Sequence, residues 1–266
     1  MVKEPLVSII TVVFNGAKHL RQTILSVIGQ SYTNIEYIII DGGSTDGTLN
    51  IIKEYEHKIA YWKSEKDNGI SDGFNKGIRQ ANGEIIGIIN SDDWYEPDTV
   101  RRIVEQIDGC DVLYGDLQLW KDNEKEYIFE GNHAFLNHEM CVNHPTVFVR
   151  RELYNNYGNF SSAYKYAMDY DFLLRVKVKD VRFKRVTGVL ANMRWSGVSD
   201  TNWLQGCIET REIKNKYIPG NRKAHKAYFF KHVLAIYAGK LLRKLGLETL
   251  IRMYRKLSKV KKYHQE

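Results

Sequence analysis

Cysteine is scarce. The three residues, Cys110, Cys141 and Cys207, are widely spaced and odd in number. That pattern excludes a disulfide framework and a zinc knuckle, and it points to a reducing compartment. Proline is nearly as rare, with four residues, and no proline- or serine-rich stretch separates the two halves of the chain. One two-part domain is therefore expected rather than two tethered ones. Long hydrophobic runs are missing: no window reaches 18 apolar residues, so no transmembrane helix is expected. The opening Met1-Val2-Lys3-Glu4-Pro5 lacks the charged-then-apolar pattern of a signal peptide. Together these absences predict a cytoplasmic protein.

Excess basic charge is also missing from most of the chain. The net charge is +7, but residues 221–266 hold 13 of the 39 Lys/Arg and 2 of the 32 Asp/Glu, a local net of +11. Residues 1–220 are therefore mildly acidic, at −4. Nucleic-acid binding needs a basic surface at the functional site, so that class is set aside. What is present in quantity is apolar material. A hydrophobic fraction of 43% over 266 residues suffices for one sizeable core.

The most informative stretch is Ile85-Ile86-Gly87-Ile88-Ile89-Asn90-Ser91-Asp92-Asp93-Trp94. An almost all-isoleucine run reads as a strand buried on both faces. It ends in two adjacent carboxylates, which repel each other unless a cation or protons intervene. In open α/β sheets ligands bind beyond the carboxyl ends of the strands. A hard divalent cation such as Mg²⁺ or Mn²⁺ suits oxygen ligands and keeps positions open for phosphates. The competing reading is a solvated Asp-Asp turn that caps the next helix.

Similar strands precede it. Leu6–Val13 leads into Phe14-Asn15-Gly16, and Ile35–Ile40 leads into Asp41-Gly42-Gly43-Ser44-Thr45-Asp46-Gly47-Thr48. A short strand over Ile59–Trp62 leads to Asp67-Asn68-Gly69. Helical spacing falls between them, over His19–Gln30, around Leu49, Ile52 and Tyr55, and over Ser71–Ala81. This alternation predicts right-handed βαβ units and a parallel sheet, with Asn15, Asp41, Asp67 and Asp92 gathered along one edge. Further on, Val112–Leu119 and Tyr127–Phe129 read as a hairpin, a helix begins near Asp169, and Val181–Ala191 is a strand. Residues 223–258 read as two helices broken near Gly246. One apolar stripe comprises Phe230, Leu234, Tyr237, Leu241 and Leu245; the other comprises Leu247, Leu250, Tyr254 and Leu257. Such a basic amphipathic segment either packs on the body or lies on an anionic membrane surface, as a peripheral anchor at the inner face of the plasma membrane.

Four motifs in this order resemble family 2 glycosyltransferases of the GT-A fold. They are Val-Ser-Ile-Ile-Thr-Val-Val-Phe-Asn at 7–15, Ile-Asp-Gly-Gly-Ser-Thr-Asp-Gly-Thr at 40–48, Asn-Lys-Gly-Ile at 75–78 with Ala-Asn-Gly-Glu at 81–84, and Asn-Ser-Asp-Asp at 90–93. Met168-Asp169 with Asp171 and Arg175 is similar to the family's later acidic motif. The resemblance implies an α/β fold with a Rossmann-like, mostly parallel sheet flanked by helices, spanning residues 1–220. Residues 1–100 form its nucleotide-binding half and 101–220 its acceptor half; 221–266 is a basic helical tail. It also implies inverting transfer of a sugar from a nucleotide diphosphate donor, a UDP-sugar foremost, to an acceptor hydroxyl of a lipid-linked or cell-surface saccharide.

The same resemblance distributes roles. Asp92 and Asp93 are the candidate metal ligands for Mn²⁺ or Mg²⁺, and Asp92 also faces the nucleotide sugar. The family's Asp-any-Asp motif has Asn90 at its first position here. Asp169 is the candidate general base, with Asp171 the runner-up. Thr11, Phe14, Asn15, Asp41, Asp72, Asn75, Lys76 and Arg194 are assigned to the nucleotide sugar. Trp94, His144 and Asp171 are assigned to the acceptor side. Many members carry a second acid where this chain has Gly42. Arg194-Trp195 is similar to the Arg-Trp of processive synthases, but Ala191 replaces their Gln, which favours addition of a single sugar. The segment Arg194–Ser199 is expected to close over the diphosphate. Two rival classes are a sugar-phosphate nucleotidyltransferase, whose glycine-rich basic loop is thin here, and a non-catalytic sugar- or membrane-binding module.

Overall fold

Every residue of Val7–Val13 is buried, and this continuous apolar run forms the central strand β1. The computed structural model describes residues 4–121, 123–194, 202–247 and 253. After β1 come α1 (Leu20–Ile28), β2 (Ile35–Asp41), α2 (Thr48–Glu54), β3 (Tyr61–Ser64), α3 (Ile70–Gln80) and β4 (Ile85–Asn90). The second half contains β5 (Trp94–Tyr95), α4 (Thr99–Val104), β6 (Val112–Lys121), β7 (Glu124–Phe129), β8 (Phe148–Arg150), α5 (Arg151–Tyr157), α6 (Met168–Lys177) and β9 (Phe183–Arg194). Two helices follow, α7 (Trp203–Tyr217) and α8 (Arg222–Lys244).

The strands form one sheet in the order β3-β2-β1-β4-β8-β6-β9-β5, with β7 beside β6. β1, β2, β3 and β4 run parallel, as do β6 and β9, while β8 is antiparallel to both β4 and β6. The result is a mostly parallel sheet flanked by helices. Side chains alternate across a strand, so the isoleucine runs feed two cores at once. Ile10, Ile38 and Ile88 pack with Phe74 and Phe172 on one face. Ile9, Ile39 and Ile89 pack with Ile24 and Val27 on the other.

Helix α3 lies unusually close to β1. A Cβ at Gly73 would stand 2.6 Å from Val12 Cγ1, and one at Gly77 would overlap Ile10. Only glycine lets the helix backbone rest directly on the strand. The third strand sits two residues later than Ile59–Trp62, because residues 56–58 tighten into a 3₁₀ turn before pairing with Ile38–Asp41 begins. At the C-terminal side a helix was not anticipated over Trp203–Tyr217. Helix α8 ends before Gly246, whose φ of 72° stops it. Leu250, Tyr254 and Leu257 of the second stripe lie outside the described residues. Among the described residues no helix is long and apolar enough to cross a membrane.

Because Gly77 has no room for a side chain, Gly77→Val is expected to cost about 1–3 kcal/mol by overpacking. Urea unfolding should show a lower midpoint at unchanged slope; an unchanged midpoint would contradict the close approach.

Candidate active site

Strand register sets the position of the site. Val13 pairs with Asp41, Val12 with Asn90, and Asp41 with Ser64, so four strands end side by side. The loops beyond them are stitched together. The Asn15 backbone N–H donates to Ser44 Oγ at 2.7 Å, and Asn15 Oδ1 accepts from Thr45 N–H at 2.9 Å. Asp46 accepts from Ala17 N–H and Thr48 N–H, and the Thr48 hydroxyl oxygen accepts from Gly16 N–H at 3.0 Å. Asn15 takes a positive φ of 50°, which the Asn side chain tolerates. Phe14 projects from this row, 64% exposed, as a free aromatic face beside the loop.

Several residues assigned to the nucleotide sugar have other work. Asp41 is fully buried, and its carboxylate accepts from Gly43 N–H, Ser44 N–H, Ser44 Oγ and Ser64 Oγ. It shapes the loop rather than facing the cleft. Thr11 is buried within the sheet, its hydroxyl 3.1 Å from that of Tyr37. Asn75 spends both ends on the backbone of Phe160, donating at 2.9 Å and accepting at 3.0 Å. Lys76 is paired with Glu65 at 3.1 Å and Asp72 at 3.3 Å, so its charge is already offset. Asp72 also accepts from Asn68 N–H. Asp67 sits where Gly42 lacks a side chain: a Cβ at 42 would be 2.7 Å from Asp67 Oδ2.

The two adjacent acids separate by environment. Asp93 is 1% exposed, and burial, reinforced by the Asp92 charge, pushes its carboxyl well above the usual range. Asn90 Nδ2 donates to its Oδ2 at 3.2 Å, whereas Asn90 Oδ1 and Asp93 Oδ1 are buried without a geometric hydrogen bond among the described residues. Thr23 Oγ1 holds the Asp93 carbonyl at 2.6 Å. Asp92 is half-buried, and among the described residues its carboxylate has no hydrogen-bond or ion-pair partner. Arg194, at the end of β9, donates to the Asp92 carbonyl and to Gln22 Oε1, and its guanidinium lies 4.5 Å over the Trp94 ring. Trp94 packs on Trp120, ring to ring at 5.5 Å, which makes it a support for Arg194 more than an acceptor contact. His19 is a neighbour the sequence did not single out: burial and then Arg194 lower its pKa, while Asp92 raises it. Trp195 and residues 196–199, expected to close over the diphosphate, lie outside the described residues.

This donor set fits a hard divalent cation. One unpaired carboxylate suffices where a diphosphate supplies further oxygens, and Mg²⁺ commonly binds that way. Among the described residues no group of three His, Cys, Asp or Glu converges, so the fit is to a cation shared with substrate, not to a closed protein cage. Of the two acids Asp92 is the more open, whereas Asp93 is buried.

Asp169 and Asp171 likewise part ways at the start of α6. Asp171 is fully buried and held by the Tyr217 hydroxyl at 2.9 Å, Lys216 at 3.3 Å and Arg175 at 3.6 Å. It is a structural anion, not an acceptor contact or a base. Asp169 has no cationic partner among the described residues. Burial raises its pKa to about 6, against the pull of the Tyr170 N–H at 2.8 Å. Glu209 on α7, 4% exposed, accepts from the N–H groups of Lys165, Tyr166 and Ala167 and so fixes the segment that delivers Asp169. Glu209 was also missed in the sequence, since its partners lie more than 40 residues away.

Asp169 lines two cavities. One, of about 10 Å³, is shared with His144 and Ile88. His144 stacks on Phe74 at 5.0 Å, its Nε2 has no hydrogen-bond partner among the described residues, and burial lowers its pKa to about 4. It is a neutral ring buried among aromatic side chains, not an exposed surface. Ile88 is two residues before Asn90 on β4, so this cavity brings Asp169 against the C-terminal half of that strand. The other cavity, of about 310 Å³, opens between α6, α7 and α8.

The two acids of α6 predict opposite stability effects. Asp171→Asn leaves Arg175 and Lys216 without their anion; a wholly buried pair would lose about 3–5 kcal/mol, and the half-exposed Lys216 reduces this to roughly 2–3 kcal/mol. Asp169 is raised from 3.8 to about 6, so the folded state loses stability as pH rises through that window. Asp169→Asn should therefore match or exceed the parent Tm at pH 7. A lower Tm for Asp169→Asn than for Asp171→Asn would reverse the assignment.

Known proteins resemble this chain in sequence and in fold. The family description "Glycosyl transferase family 2" matches residues 8–171. An uncharacterised glycosyltransferase of Mycobacterium tuberculosis is 34% identical over 183 residues, which cover 66% of this chain and 70% of that protein. A PGL/p-HBAD biosynthesis glycosyltransferase of Mycobacterium bovis is 29% identical over 179 residues, covering 64% and 69%. Two solved structures share the fold. S. aureus TarS 1-349 in complex with UDP-GlcNAc superposes with a TM-score of 0.63 at 18% identity, covering 84% of this chain and 70% of that one. The mannosyltransferase PcManGT from Pyrobaculum calidifontis, in complex with GDP-Man and Mn²⁺, gives 0.65 at 16% identity, covering 97% and 81%. The family match runs from β1 to the opening of α6: this chain belongs to glycosyl transferase family 2.

Proposed function

We propose that this glycosyltransferase moves a single sugar, with inversion, from a UDP-sugar to a hydroxyl of a lipid-linked or cell-surface saccharide, and that it uses Mn²⁺ or Mg²⁺. The observation that carries the reading is Asp169: a carboxylate without a cationic partner among the described residues, with its pKa raised to about 6, beside the strand end that carries Asp92. A general base works best with a pKa near the operating pH. In the step proposed, Asp169 takes the proton of the acceptor hydroxyl as its oxygen attacks the anomeric carbon. The bond to the diphosphate breaks and its electron pair leaves on the phosphate oxygen. Arg194, held over Trp94, faces the developing charge. A divalent cation held by Asp92 would supply further neutralisation of that leaving group. Phe14 offers an exposed ring on which a nucleobase can stack.

The UDP assignment draws support from the neighbour holding UDP-GlcNAc; the neighbour holding GDP-Man makes guanosine the competing base. A nucleotidyltransferase would need a basic loop after the first strand, whereas Gly16 and Ala17 spend their N–H groups on Thr48 and Asp46. A purely binding module has no use for an acid held without a counter-charge. Contact with anionic lipid head groups on the cytoplasmic side is supported by the exposed Arg222, Lys223, Lys226, Lys231, Lys240 and Lys244 of α8.

Asp169→Asn is expected to lower kcat by about 10²–10⁴-fold while UDP-sugar affinity stays nearly unchanged. Near-normal turnover would refute the base. Because protonated Asp169 cannot accept a proton, kcat/KM should fall below a pKa of about 6, roughly tenfold per unit. A profile flat down to pH 4.5 would contradict it. Chelation should abolish transfer, Mn²⁺ should restore it, and Asp92→Asn should weaken that restoration more than Asn90→Ala; equal restoration in all three proteins would remove Asp92 from the metal site.

A further inference from the structure

We propose that the 310 Å³ cavity between α6, α7 and α8 receives the sugar of an amphiphilic acceptor, and that the acceptor's alkyl chain runs outward along α8. The proposal rests on the reading of Asp169 as the base. Asp169 lines this cavity, so a hydroxyl presented there is within reach of the one α6 carboxylate that carries no counter-ion. The size is at the lower end of the range for small-molecule sites.

The walls suit a sugar ring. Trp203, Tyr166, Tyr228 and Phe229 present aromatic surface, which packs on the C–H faces of a pyranose, while Glu139, Thr210, Arg211 and Lys214 line the same space with groups that can meet its hydroxyls. Two cations are in place for its hydroxyls. Arg211 lies 4.6 Å over the Phe229 ring and has no carboxylate partner among the described residues. Lys214 is 2% exposed, and its Nζ donates to the His138 carbonyl at 2.8 Å. Gly206 keeps the space open: a Cβ there would meet nothing closer than Tyr166 Cβ, at 3.7 Å.

The apolar wall does not stop at the cavity. Trp203 makes an edge contact with Tyr237 at 5.1 Å. Tyr237, 55% exposed, belongs to a stripe with Phe230, Leu234 and Leu241 on α8 and Leu245 just past its end, which are 51%, 67%, 58% and 61% exposed. Their spacing of three and four residues puts them along one helix face. A run of exposed large apolar side chains marks a binding surface. Its continuity with the cavity through Trp203 and Tyr237 assigns that surface to the rest of the same ligand, an alkyl chain leading away from the sugar.

The test uses the full chain with a UDP-sugar and Mn²⁺. Methyl, hexyl and octyl glucosides, galactosides and mannosides serve as acceptors, each kept below its micelle concentration. The sugar series that reacts should show an acceptor KM about tenfold lower for octyl than for methyl, what burying roughly two of the added methylenes gives. Leu234→Ser/Leu241→Ser, on the exposed face, should close that gap. Gly206→Leu, which fills the cavity, should abolish acceptor-stimulated UDP release, with calorimetric UDP-sugar affinity reporting an intact fold. Equal KM for methyl and octyl glycosides would overturn the proposal, as would full acceptor use by Gly206→Leu. A concentration-dependent dimer that Leu234→Ser/Leu241→Ser dissolves without moving KM would assign the stripe to a second copy and overturn the alkyl track. Failure of every nucleotide sugar to bind would instead remove the glycosyltransferase reading beneath it.

Discussion

The parallel register of β1 with β2 and β4 is the constraint on which the site depends. Val12 stands opposite both Ile40 and Asn90, so the strands end level and their loops meet. Nothing in the loops could achieve this alone. Asp46, Ser44 and Thr48 reach Asn15, Gly16 and Ala17 only because the sheet presents the two turns side by side. The register is held in turn by packing on both faces, and most tightly where Gly73 and Gly77 let α3 rest on Val12 and Ile10. A slip of one residue would exchange the two cores and scatter the acids.

Within that frame, carboxylates of one chemistry acquire four different roles from their surroundings. Asp41 is saturated by backbone N–H groups and hydroxyls and becomes part of the loop's architecture. Asp171 is buried among Arg175, Lys216 and Tyr217 and becomes an internal counter-ion. Asp93 is buried with one oxygen unmatched among the described residues, and its charged form is strongly disfavoured. Asp169 is left without a cationic partner among the described residues, whereas Asp92, at the strand end, makes no ion pair among them but lies in the field of Arg194. Desolvation without a cation keeps Asp169 near neutral pKa, where a base is useful. The division follows from which neighbours each carboxylate meets, not from its place in a motif.

That division explains what the sequence could and could not disclose. Strand positions and the gathering of strand ends were readable, because a buried parallel strand writes itself as an uninterrupted apolar run. The opening of α6 near Asp169 was readable for the same local reason. Partners remote in the chain were not. Asn75 and Lys76 look like ligand-facing polar residues until Phe160 and Glu65 are found against them. Glu209 gives no local signal, because its three N–H partners belong to another element. Helix α7 escaped notice because it buries only Glu209, Ile213 and Lys214, too few apolar positions to mark a face. The α8 stripe was visible as spacing, but its contact with Trp203, and hence with a cavity, required the fold.

The central claim is that Asp92, on the donor side, and Asp169, on the acceptor side, serve one transfer site. Selective carbon-13 labelling of aspartate, with Asp169 assigned by its Asn variant, puts this to a direct measurement. On addition of Mn²⁺ and UDP, paramagnetic broadening of the Asp169 carboxyl resonance is predicted, and Asp92→Asn should remove it. An Asp169 resonance that stays sharp while UDP and Mn²⁺ are demonstrably bound would place the metal and the base in separate sites and contradict the account.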